Sequence, residues 1–94
     1  MSVNMIEFRI TDTFYITGKG YVFFIQLPRE FNEQMFVNDT IWFDDDDNYT
    51  ITQIERTRNL FNLEFSQNVG ILIRGDLKHD ESNYNGKKFS IIKQ

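Results

Sequence analysis

The chain has no cysteine, one proline, one histidine and one tryptophan among its 94 residues. Without cysteine there is no disulfide framework and no thiolate metal site. With His79 as the lone histidine, a zinc site or a histidine-based triad lacks its further partners. No Gly-x-x-x-x-Gly-Lys-Ser/Thr motif occurs, so no nucleotide-phosphate cradle or GTP chemistry is expected. Basic residues are also few: Lys and Arg total 10 against 14 Asp and Glu, a net charge of −4. A general nucleic-acid binder presents a basic surface, and this balance argues against one. No apolar run approaches the roughly 20 residues that span a bilayer. The segment Met1 to Glu7 has no basic region followed by an apolar core, so no secretory signal is expected. The expectation is a cytoplasmic, non-enzymatic single domain over residues 1–94, with no cofactor and no membrane contact.

Aromatic side chains are plentiful. They make up 16% of the chain, and ten are phenylalanines. A domain this short buries only roughly 60–65% of the surface its unfolded chain exposes. A dense core must compensate, and each covered phenylalanine contributes roughly 1.5–3 kcal/mol.

The organising stretch is Phe8 to Leu27. Phe8 and Ile10 alternate with Arg9 and Thr11, the period of a half-buried strand. Asp12 interrupts, and Phe14 and Ile16 resume. Thr17-Gly18-Lys19-Gly20 then reads as a tight hairpin turn whose glycines supply positive φ. Tyr21 to Leu27 is rich in aromatic and branched residues, which fit a pleated surface. Pro28 ends it, lacking a donor for a ladder.

Seven strands are expected, near Met5–Ile16 with a break at Asp12, Gly20–Leu27, Thr40–Phe43, Tyr49–Glu55, Leu60–Phe65, Val69–Arg74 and Lys88–Lys93. Short strands at this spacing suggest a barrel or sandwich. Residues 29–36 are the place for a helical turn or long loop. The predicted core is Phe8, Ile10, Phe14, Phe23, Ile41, Phe43, Phe61, Leu63, Val69, Ile71, Ile73 and Phe89. Strand two is apolar on both faces. Phe23, Ile25 and Leu27 point one way, and Val22 and Phe24 the other. A loop could cover the second set, or a partner could. Val22, Phe24 and Trp42, with Tyr15 and Tyr21, form the candidate partner surface.

The acidic stretch Asp44-Asp45-Asp46-Asp47 invites a cation reading. Asp44, Asp46, Asn48, Thr50 and Glu55 fall at positions 1, 3, 5, 7 and 12 of a calcium-loop register. Position 6, glycine in such loops, is Tyr49, and the flanks read as strands. A solvated hairpin tip is the expectation, with no metal site.

The order of Asp12-x-Phe14, Gly18-Lys19-Gly20, Val37-Asn38-Asp39, Asn68-Val69-Gly70-Ile71-Leu72-Ile73-Arg74-Gly75 and Gly86 resembles domain 2 of the translational GTPases, nearest the elongation factor Tu branch. The resemblance runs from about Phe8 to about Ile92. It implies a closed, all-β Greek-key barrel of six or seven strands. It departs from the family pattern at Ile25 and Asn38, where glycine is usual, and at Asp76, where an apolar residue is usual. The resemblance also implies a site for the acceptor end of aminoacyl-tRNA at Asp12, Phe14, Glu55, Arg58 and Asn68. Three functions follow as expectations. The first is a binding module for a protein partner. The second is a mimic or decoy of the elongation-factor domain. The third is weak binding of the tRNA acceptor end.

Overall fold

A computed structural model describes residues 7–28, 35–58 and 65–93. Seven antiparallel strands form one curled sheet. They are β1 (Glu7–Arg9), β2 (Asp12–Ile16), β3 (Gly20–Pro28), β4 (Thr40–Asp44), β5 (Asp47–Arg58), β6 (Phe65–Ile73) and β7 (Lys88–Ile92). Their order across the sheet is β1-β7-β4-β5-β6-β3-β2. β4, β5 and β6 follow as a meander, and β3 returns to lie beside β6, as in a Greek key.

The sheet does not close, so the closed barrel expected from the sequence is corrected to an open half-barrel. Its free edges, β1 and β2, stand 9 Å apart. That is about twice the spacing of paired strands, too far for a ladder. The short link Ile10–Thr11 carries the chain from one edge to the other. Ile10 N–H donates to Lys87 O at 3.0 Å, whereas Thr11 N–H donates to Phe24 O at 2.8 Å. Consecutive amides therefore face opposite ends of the sheet. The chain upstream pairs with β7 (Phe8↔Phe89), and the chain downstream pairs with β3 (Thr13↔Phe23). The interruption near Asp12 is real, and it splits the strand between two edges.

The twelve-residue β5 joins the two halves of the sheet. Its start pairs with β4 (Thr40↔Thr50, Ile41↔Tyr49), and its remainder pairs with β6 (Ile54↔Ile71, Glu55↔Gly70). A register shift between Ile51 and Gln53 marks the bend. Bulges of this kind increase local twist, which lets one strand serve both halves.

The concave side holds the core. Phe8, Ile10, Phe23, Ile41, Val69, Ile71, Ile73 and Phe89 are buried there, as predicted. Ile25, Leu27, Met35, Tyr49, Ile51 and Tyr84 join them. Phe43 is half-buried and packs on the cluster. Phe14 departs from the predicted core: it is 46% exposed, on the convex side. Its register explains this. Phe14 faces Val22, whereas Thr13 faces Phe23, so Thr13 takes the buried position. Phe61 and Leu63 lie outside the described residues, as do residues 29–34 of the expected loop.

The first turn matches its sequence signal, and a second lies at Asn38. Lys19 N–H donates to Ile16 O at 2.9 Å, closing the β2–β3 hairpin over Gly18 at φ 83°. Asn38 takes φ 78°, the left-handed conformation that Asn tolerates better than most residues.

Candidate binding face

Strand alternation sorts the residues of β2, β3, β6 and β5 onto two sides. The convex side carries three cross-strand rows. One runs Asp12–Phe24–Gly70–Glu55, and a second runs Phe14–Val22–Leu72–Gln53. A third sets Gln26 beside Asn68. Four of the five residues implied by the translation-factor resemblance, Asp12, Phe14, Glu55 and Asn68, thus share one face. Arg58 follows at the end of β5, in register with Gln67. Val22 and Phe24 of the candidate partner surface stand on this same face. Trp42 stands on β4, opposite Asn48 and Ser90, with β5 and β6 between its strand and that of Phe24. Tyr15 and Tyr21 face each other at the hairpin end, ring centroids 4.9 Å apart.

The face is apolar at its centre. Phe14 and Ile16 are 46% and 44% exposed, and Val22, Phe24 and Leu72 are half-buried. The Phe14 and Phe24 rings meet edge to face, centroids 6.3 Å apart. Beside them is a hollow bordered by Ile16, Lys19, Val22, Glu55 and Leu72, with Gly70 in its floor. A Cβ at Gly70 would stand 3.4 Å from Val22 Cγ1, so the missing side chain makes the depression.

Polar groups rim the face. Asp12 Oδ1 accepts from the Thr13 amide at 2.9 Å, satisfying a donor on the β2 edge. On the core side of β2, Thr13 Oγ1 donates to Asn85 Oδ1 at 2.9 Å. Gln26 Nε2 donates to Asn68 Oδ1 at 3.3 Å, and Gln53 Nε2 to Glu55 Oε1 at 3.1 Å.

A second polar cluster, unforeseen from sequence, is buried on the concave side. The expected solvated acidic tip reaches only to Asp46. Asp44 pairs with Asp47 across the two-residue turn Asp45–Asp46, and β5 then runs extended through Thr50 and Glu55. The chain therefore never curls into the calcium-loop geometry. Asp47 is 2% exposed. Tyr84 Oη donates to both its oxygens, at 3.2 and 3.1 Å. With that hydrogen committed, Tyr49 Oη must donate to Tyr84 Oη at 2.8 Å, and it accepts from the Lys78 amide at 3.1 Å. Lys87 Nζ lies 3.9 Å from Asp47 Oδ2 and over the Phe43 and Tyr84 rings. Burial is the main cause that pushes the pKa of both phenols, Tyr49 and Tyr84, above the ordinary value. The signal was the alternation of Asp47 with Tyr49 and Ile51, which puts all three on one side.

The fold and site define an all-β sheet domain with one face committed to its core and the other apolar and open. Among the described residues, no group of three or more His, Cys, Asp or Glu is placed to hold a metal ion. No helix among them is long and apolar enough to cross a membrane. No family model, curated protein or solved structure matches the chain. The likeness to the translational GTPases therefore rests on the sequence pattern alone.

Proposed function

We propose that the chain is a non-catalytic binding module that engages a protein partner through the convex face of β2, β3, β6 and β5. The observation that carries this reading is the exposed pair Phe14 and Ile16 beside half-buried Val22, Phe24 and Leu72. The opposite side of the same strands already fills the core. This apolar surface adds nothing to that core, and contiguous exposed patches mark interaction sites. The test is capture from the source cell by wild type, Phe24→Asp and Trp42→Asp, each checked for folding by circular dichroism. Loss of a partner with Phe24→Asp and retention with Trp42→Asp supports the face. Equal capture by a folded Phe24→Asp removes it.

The grouping of Asp12, Phe14, Glu55 and Asn68 on this face favours a second reading. The domain would then present the surface that, by resemblance, takes a tRNA acceptor end, as a weak RNA binder or a decoy. The electrostatics favour protein. Asp12 and Glu55 stand in the central row of a chain of net charge −4, a field that repels RNA. A gel shift at physiological salt with aminoacylated and bare tRNA tests this. Tight binding would reverse the order of the two readings.

A further inference from the structure

The convex face carries, within a few residues of each other, a projection, a hollow and charges of both signs. Phe14 and Ile16 project from β2. The hollow over Gly70 lies between Val22 and Leu72, one strand away from Phe14. Lys19 borders this hollow on the hairpin side and Glu55 on the β5 side. Among the described residues, neither forms an ion pair.

We infer that the occupant of this face is a second copy of the same chain, related by a two-fold axis. The inference rests on the reading of the face as a protein-binding surface and names its partner. A two-fold interface requires that the residue meeting its opposite number's neighbour be met in return. The face offers one member of each kind for such an exchange, a projection and a hollow, a lysine and a glutamate. Phe14 of each copy fits the hollow over Gly70 of the other. Lys19 of each copy meets Glu55 of the other, so two ion pairs form from one kind of contact. An unrelated acidic or basic partner would leave either Glu55 or Lys19 facing a like charge.

The expected dimer is weak. Four strands at roughly 4.8 Å spacing offer a small patch, at the low end of specific interfaces. Both copies also carry −4. Sedimentation equilibrium at physiological salt, from about 10 to about 500 µM, covers the range in which a small transient interface dissociates.

Four samples decide the matter: wild type, Lys19→Glu alone, Glu55→Lys alone, and the two variants mixed in equal amounts. Wild type is expected to dimerise. Each single variant places like charges together twice, and is expected to weaken self-association roughly tenfold or more. In the mixture both contacts regain opposite charges, so a mixed dimer of wild-type affinity is expected. Circular dichroism verifies folding, and the mixture guards against a variant that merely destabilises. Wild type that stays monomeric throughout overturns the dimer. So does a mixture that recovers no association. Monomeric wild type that still loses a cellular partner on Phe24→Asp overturns the dimer alone and leaves the face reading standing. A dimer unaffected by Phe24→Asp lies on another surface and overturns the dimer through this face, whereas equal partner capture by a folded Phe24→Asp overturns the face reading itself.

Discussion

Tyr84 donates to both carboxylate oxygens of Asp47, a residue 2% exposed, and so ties the segment before β7 to the start of β5. Burying a carboxylate without partners is costly. The hydroxyl chain from the Lys78 amide through Tyr49 and Tyr84, with Lys87 beside it, offsets that cost. Tyr84→Phe keeps the ring and removes the central link. It breaks the Tyr49–Tyr84 bond and takes the Tyr84 hydroxyl away from Asp47. The expected destabilisation is about 1–3 kcal/mol, read from urea unfolding. Tyr15→Phe, at an exposed ring, should leave the midpoint unchanged.

The same cluster sets the alkaline behaviour. Burial pushes the pKa of Tyr49 and Tyr84 above the ordinary phenol value of 10.0. The unfolded chain therefore releases these protons first as pH rises. The native state then binds more protons than the unfolded state, so stability falls with pH. The contribution is fully present below about pH 10 and is lost above it. Spectrophotometric titration of the folded protein should show Tyr49 and Tyr84 ionising only with unfolding. Tyr49→Phe should remove part of the alkaline destabilisation.

Core and convex face should respond differently to truncation. Phe23 is fully buried among Phe43, Tyr49 and Tyr84, with ring centroids 5.3 to 5.9 Å away. Phe23→Ala is expected to cost about 3–5 kcal/mol through the cavity it leaves. Phe14→Ala, at a ring 46% exposed, is expected to cost under about 1 kcal/mol. Thermal or urea unfolding compares them directly.

Two glycines separate backbone need from side-chain space. Gly18 sits at φ 83° with nothing within 4 Å of an added Cβ. Gly18→Ala is therefore strained by conformation alone, by about 1–2 kcal/mol. Gly70 has no positive φ and would meet only Val22 Cγ1, at 3.4 Å. Gly70→Ala should fold with near wild-type stability while filling part of the hollow. The pair of urea midpoints checks both statements.

Much of the strand plan was legible because it rests on local chemistry. The alternation of Phe23, Ile25 and Leu27 against Val22 and Phe24 set the two sides of β3. Gly18 announced its turn. Closure was not legible, because it depends on how near the two edges come once β1 has paired with β7 and β2 with β3. No local side-chain pattern encodes that long-range spacing. The exposure of Phe14 was hidden for a related reason. A slip of one residue after the Asp12 break exchanges the two sides of a strand. Asp47 was masked by composition, since three exposed aspartates precede it and nothing local marks the fourth as buried. On the candidate face, Phe24 and Val22 were visible from the two-sided apolarity of β3. Lys19 and Leu72 were not, because they reach the hollow only through long-range strand pairing.

The central claim is that the convex face of β2, β3, β6 and β5 meets a protein. Its most direct test is a photoreactive phenylalanine analogue placed at position 24 or position 42 and irradiated in the source cell. The account predicts a discrete cross-linked product from position 24, identified by mass spectrometry as a protein adduct, and none from position 42. A product from position 42 alone, or adducts to RNA in place of protein at position 24, would contradict it.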